Sequence, residues 1–170
     1  MTERSLVVDH LKLSYEGLFN ATELYNLVGS FFFEKGWDWK EKLNLEQITP
    51  QGKQIRIHLE PWKSSSDYYK RILDIKIHMT DLKDVEVQHN GQTLRLNQGE
   101  LRIIFDGYVV SDRSGRWTKA PFVWFLTVLA QKYFFKDQFM RMELWLKSDL
   151  DDLHGRIKRY LNVFKYHYQA

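Results

Sequence analysis

The sequence predicts an α+β domain: a curved antiparallel sheet of six to seven strands, one short helix after the first strand, and a long, continuous or kinked C-terminal helix packed on the sheet. Three observations carry this. Apolar and polar residues alternate at the two-residue strand period over most of the stretch from Leu6 to Val110. Asn90-Gly91, set between VEVQH and QTLRL, suits a two-residue hairpin turn, which needs positive φ at both positions. Beyond Gly115 the apolar residues recur at helical spacing instead.

The first strand is expected over Leu6 to Phe19, where Leu11, Leu13 and Tyr15 alternate with Lys12, Ser14 and Glu16. Asn20 then caps a helix, with Glu23 placed to reach back to the cap; Leu24, Leu27, Val28, Phe31 and Phe32 form its apolar stripe and Gly36 its stop. Trp37, Trp39, Leu43, Leu45 and Ile48 suggest a second strand, closed by the turn Thr49-Pro50-Gln51-Gly52. Ile55, Ile57 and Leu59 make its partner, ended by Pro61, which withdraws a ladder donor. Leu73, Ile75, Ile77 and Met79 alternate against Asp74, Lys76, His78 and Thr80, which puts His78 on the outer face. The Asn90-Gly91 hairpin follows, and the last strand runs from Leu101 to Val110. Pro121 opens the C-terminal helix, carried by Phe122, Phe125, Leu126, Leu129 and Tyr133. A break is expected at Ser148, which with Asp151 imitates a fresh N-cap before the stripe Leu150, Leu153, Ile157, Tyr160, Leu161, Phe164.

No linker, repeat or low-complexity tract divides residues 1–170, so a single domain is expected. The absence of cysteine removes disulfides, thiolate nucleophiles and cysteine-ligated zinc, and agrees with a reducing compartment. Glu3, Arg4, Asp9 and His10 interrupt the N-terminal stretch, and the longest apolar run, Ala120 to Ala130, is about half of what a spanning helix needs. A cytoplasmic location without a transmembrane segment is the expectation. A net charge of +3 is too small to argue by itself for a polyanionic partner.

The order strand, helix, strand meander, long C-terminal helix resembles the helix-grip proteins, the Bet v 1 and START-like group, although that group carries two helices after its first strand. The resemblance implies a sheet wrapped around the last helix, an apolar cavity between them, and ligand or lipid binding or a non-catalytic adaptor role. The segments LKLSYEGLFN, EPWK, LNQGELRIIFDGY and HGRIKRYLN are similar to those of a functionally unassigned archaeal protein family, a likeness that implies no site residues.

Most catalytic chemistries lack their residues. His10, His58, His78, His89, His154 and His167 show no metal-ligand spacing, although His58 and His78 would meet if their strands were neighbours. No metal and no cofactor is expected. Gly91, Gly99 and Gly107 lack the Lys-Ser or Lys-Thr of a phosphate loop, and neither Ser30 nor Ser114 sits in a nucleophile elbow. Glu41 and Asp106 remain as cavity carboxylates for a hydrolase or cyclase-type enzyme, against the plainer account of strand-end carboxylates satisfied by neighbours.

Two surfaces remain. Arg156, Lys158, Arg159 and Lys165, interleaved with Tyr160, Tyr166 and Tyr168, suit RNA or the ribosome, or simply complement a helix C-terminus. Aromatics make up 15% of the chain; Trp117, Phe122, Trp124 and Phe125, together with Phe31 to Phe33, Trp37 and Trp39, form a surplus, since a helix cannot hide Phe122, Val123, Trp124, Phe125 and Leu126 on one face. The expected function is therefore a non-catalytic binding protein that uses Trp39, Trp117, Phe122, Trp124, Phe125 and Tyr133, between sheet and C-terminal helix, to hold an apolar small molecule or a protein partner. A homodimer contact and a membrane-surface anchor satisfy the same aromatic surplus.

Overall fold

Alternation builds the sheet, and a computed structural model of the chain describes it over residues 3–111, 121–130, 133 and 136–168, with the side chains of 124 and 127 left out. The strands are β1 (Glu3–Phe19), β2 (Glu41–Thr49), β3 (Gly52–Leu59), β4 (Trp62–Ser64), β5 (Lys70–His89) and β6 (Gln92–Ser111). They form one curved, unclosed antiparallel sheet in the order β1-β6-β5-β3-β2, with β4 continuing the β3 edge on β5. The first strand thus lies beside the last.

Two differences from the sequence expectation have a common cause. The apolar strand at Leu73–Met79 and the hairpin arm VEVQH are one strand of 20 residues, as are QTLRL and the segment from Leu101. A bulge between Thr80 and Lys83, with Asp81 at φ 55, interrupts the alternation and imitates a strand end. Gly99 of β6 makes room for it: a Cβ there would stand 2.7 Å from the Thr80 carbonyl oxygen. A second bulge, between Glu41 and Leu43, flips the parity of β2. Glu41 pairs with the buried Leu59, but Leu43 and Leu45 pair with His58 and Arg56 on the outer face and are exposed, so the expected apolar face running from Trp37 through Leu43 is split.

Helix α1 (Ala21–Glu34) starts where Asn20 Oδ1 accepts the N–H groups of Thr22 (3.1 Å) and Glu23 (3.2 Å). The reciprocal half of the expected capping box is made differently. The Asn20 N–H donates to the Tyr160 hydroxyl at 3.2 Å, and that hydroxyl in turn lies 3.0 Å from the Asn20 carbonyl and 3.2 Å from the Glu23 carboxylate. A residue 140 positions away does what Glu23 was expected to do.

The C-terminal helical region comprises α2 (Pro121–Ala130) and α3 (Lys136–His167). α3 runs through Ser148 without a break, which corrects the expected kink there. Met142, Leu146, Leu150, Leu153, Ile157, Leu161 and Phe164 recur every three or four residues along one stripe, and its burial carries the helix past a cap-like Ser-Asp pair. This stripe meets Leu73, Ile75, Ile77, Leu101, Ile103 and Phe105 of the sheet, all fully buried in one core. Packed side chains therefore occupy the space between sheet and α3. A polar clamp closes one end: Asp149 of α3 accepts from buried Arg71 of β5 (3.3 Å) and from the Trp37 indole (3.3 Å).

Candidate functional site

The turn after α1 decides where the aromatic residues gather. Gly36 at φ 68 ends the helix, with its N–H donating to the Phe33 carbonyl (3.1 Å) and the Trp37 N–H to the Phe32 carbonyl (2.9 Å). Paired hydrogen bonds of 2.8 and 3.0 Å between Asp38 and Trp62 then fix the segment bearing Trp37 and Trp39 against β4. Four rings meet in series: Tyr25 on Trp39 at 6.0 Å and 89°, Trp39 on Phe32 at 6.0 Å, and Phe32 on Trp37 at 5.6 Å. Trp37 is buried and held through Asp149; Trp39 is 39% exposed.

These rings wall a groove of about 800 Å³ that runs along α1. Phe33, almost wholly exposed, forms its outer lip. Asn26, Ser30 and Glu34, four residues apart on the helix, give it a polar edge. Gly29 lies between Tyr25 and Phe33 on the neighbouring row, and a Cβ built on it meets no atom within 4 Å, so the groove is open at its middle. The Tyr25 hydroxyl donates to Glu41 at 2.5 Å; burial, then the bond and charge of Glu41, push its pKa up to about 12. Glu41 is thus an exposed carboxylate occupied as a hydrogen-bond acceptor beside the groove. Aromatic faces with an amide, a hydroxyl and a carboxylate along one side can hold an apolar molecule and orient its polar edge.

The remaining candidates lie elsewhere. Phe122 and Phe125 stand on α2, exposed, and Tyr133 follows it, also exposed. Trp117 and the side chain of Trp124 fall outside the described residues. Of the basic set, Arg156 is engaged: its guanidinium donates to Glu34 (2.8 Å) and Asp152 (3.3 Å) and lies 5.1 Å from the Phe31 ring. Lys158, Arg159 and Lys165 are exposed. Tyr160 is spent on Asn20, and Tyr168 packs between Phe164 (5.2 Å) and His89 (4.5 Å).

The outer sheet face holds polar groups that only the register assembles. β3 and β5 are neighbours, yet His58 and His78 do not pair: His58 faces Lys76 and binds Asp74 at 2.9 Å, while His78 faces Arg56. Burial, followed by the charges of Arg56, Arg102 and Lys76, lowers the His78 pKa. Asp74 sits directly opposite buried Asp106. A bulge in β1 turns His10 so that its N–H donates to Asp106 Oδ1 (2.7 Å) and its ring lies near Asp9. Asp9, His10 and Asp106 each bring a donor atom within 4.8 Å of the others, a set of types that divalent cations accept, although Asp9 and His10 are exposed surface groups.

Sequence reasoning named Trp39 and counted Phe31 to Phe33 and Trp37 in the same aromatic surplus, but missed Tyr25 and Gly29. Tyr25, Gly29 and Phe33 recur at i, i+4, i+8 beside the buried stripe of α1, and an aromatic–glycine–aromatic row on a supposed solvent face was the available signal. The pairing of His10 with Asp106, 96 residues apart, had none. Comparison with protein-family models, curated proteins and solved structures returns no match for this chain.

Proposed function

We propose that this chain is a non-catalytic binding protein that holds an apolar small molecule in the groove along α1. The observation that carries the reading is the groove itself: about 800 Å³, walled by Tyr25, Phe32, Trp37 and Trp39, with the polar row Asn26, Ser30, Glu34 on one side. That volume lies within the range of roughly 300–1,000 Å³ usual for small-molecule sites. The element order, which resembles the helix-grip group, supports binding rather than catalysis. Glu41 adds to this, because its acceptor role toward Tyr25 accounts for it without an acid or base function.

Two substitutions test the groove from opposite directions, read by fluorescence titration with the apolar probe 1-aminoanthracene. Trp39→Ala removes a wall and should weaken probe binding at least about tenfold, the equivalent of roughly 1.4 kcal/mol, as expected for loss of one stacking face. Gly29→Leu fills the open middle, where no atom stands within 4 Å, and should abolish binding while leaving the fold intact. Wild-type protein that leaves the probe free, or a Gly29→Leu variant that binds it as wild type does, ends the proposal.

A further inference from the structure

A second cavity, of about 430 Å³, opens where β4, the start of β5 and the middle of α3 meet, and it shares no lining residue with the groove along α1. β4 and the turn after it contribute Lys63, Ser64 and Ser65, β5 contributes Arg71, and α3 contributes Trp145, Ser148 and Asp149. The turn is fixed from within. Ser66 Oγ accepts the N–H groups of Tyr68 (3.2 Å) and Tyr69 (3.0 Å), and the Ser65 N–H donates to the Tyr69 carbonyl (3.0 Å).

Hydrogen-bond donors outnumber acceptors here. Arg71 is only 5% exposed, and of its five N–H donors one on Nε is spent on Ser65 Oγ (3.1 Å) and one on Nη1 on Asp149 (3.3 Å). No other acceptor among the described residues meets this guanidinium. Burial lowers its pKa more than Asp149 raises it, so its charge is only partly compensated within the protein. Lys63 lends a proton to the Lys35 carbonyl and keeps the rest of its donors. Asp149 already accepts from Trp37 and Arg71 through one oxygen, and Lys63 and Arg71 against this single carboxylate leave one positive charge.

Ser64 is an independent sign. Its hydroxyl is enclosed and has no hydrogen-bond partner among the described residues. Enclosed hydroxyls are nearly always bonded, so one left open beside unspent N–H donors points to a ligand oxygen. Arg71 is held between two indoles, 5.3 Å from the Trp37 ring and 5.6 Å from that of Trp145, and its planar fork suits an oxyanion. Donors arriving from β4, β5 and the side chain of Lys63 match the spread oxygens of a phosphate better than the two oxygens of a carboxylate. Trp145 is 51% exposed, which leaves ring surface for a planar group, and the cavity has the size of a small organic molecule.

We propose that this cavity binds a small aromatic phosphate ester, with the phosphate on Arg71, Lys63 and the Ser64 hydroxyl and the ring against Trp145. The site is separate from the groove along α1, and because its ligand is charged the affinity falls as salt rises.

Isothermal titration calorimetry of the full chain with phenyl phosphate tests this. The wild type should bind phenyl phosphate at least about tenfold more tightly than inorganic phosphate or benzoate, and phenol not at all. Ser64→Ala should weaken phenyl phosphate at least about tenfold, yet leave the melting temperature of the ligand-free protein at or above that of the wild type, because the deleted hydroxyl has no bond to lose. Trp145→Ala should weaken phenyl phosphate and bind inorganic phosphate as the wild type does, whereas Lys63→Gln should weaken both. Gly29→Leu should bind phenyl phosphate normally and Ser64→Ala should bind 1-aminoanthracene normally, so this site and the groove stand or fall separately. Wild-type protein that shows neither heat of binding nor a rise in melting temperature with phenyl phosphate overturns the proposal. So does wild type that binds phenol or benzoate as tightly, or a Ser64→Ala variant that binds phenyl phosphate unchanged.

Discussion

Tyr160→Phe isolates a single hydroxyl that joins three elements. In the native protein that oxygen accepts the Asn20 N–H at 3.2 Å and lies 3.0 Å from the Asn20 carbonyl and 3.2 Å from Glu23, tying α3 to the end of β1 and the first turn of α1. Phenylalanine keeps the ring and its edge-to-face contact with Phe164 at 5.1 Å, so packing is conserved and only the hydrogen bonds are lost. One donated bond is worth about 1 kcal/mol net, and leaving the part-buried Asn20 N–H without its acceptor costs about 1 kcal/mol more, giving roughly 2 kcal/mol in all. The N-cap bonds from Asn20 Oδ1 survive, so the loss should not include the further 0.5–2 kcal/mol or so of a deleted cap. Urea denaturation followed by circular dichroism would show the midpoint falling at constant m-value, and a double cycle with Asn20→Ala should show coupling between the two sites. A change below about 0.5 kcal/mol would refute the view that Tyr160 replaces the capping-box glutamate.

Two glycines should respond with opposite sign. Gly99→Ala forces a Cβ to 2.7 Å from the Thr80 carbonyl and should destabilise by about 1–3 kcal/mol, whereas Gly155→Ala, on α3 with no atom within 4 Å, should stabilise by about 0.5–1 kcal/mol; thermal melting reads both. Alkaline pH should unfold the protein in a defined window. Burial raises the pKa of Tyr160, and burial first also raises Tyr25 and Tyr69, to about 12, from an ordinary 10.0. The unfolded chain then loses these protons first and binds fewer than the native state, so stability is intact below pH 10.0 and falls between 10.0 and about 12. Denaturant midpoints measured across that window should decline, and less steeply in Tyr160→Phe; a flat profile would contradict the burial of these hydroxyls.

Elements whose burial pattern is local were readable from residue order. The stripe of α1, the Asn20 cap, the Asn90-Gly91 hairpin with φ 50 and 77, and the alternation of Leu73 to Met79 each follow from spacing between near neighbours. Reading failed where one extra residue changed which way side chains point. The bulge at Asp81 hid the length of β5 and β6, and the bulge after Glu41 sent Leu43 and Leu45 to the wet face. Ser148 misled because a cap signal of about 1 kcal/mol competes poorly with seven buried residues along α3. For the site, Phe32, Phe33, Trp37 and Trp39 were legible as part of an aromatic surplus, but their groove was not, because Tyr25 and Gly29 complete it from a face that looks solvent-directed until Gly36 folds Trp37 and Trp39 back over it.

By itself, then, the sequence determined the class of fold, the places where helix gives way to strand, and the surplus of rings around residues 117–126 that no single helix face can bury. Periodicity encodes those things over a few residues, within the reach of one turn or one pleat. Only the tertiary structure decided that the first strand pairs with the last, that Tyr160 completes the cap of a helix 140 positions earlier, and that the aromatic groove lies along α1 while packed side chains fill the space beneath α3. Such pairings depend on strand register and helix placement, which the whole core sets at once and no local pattern records.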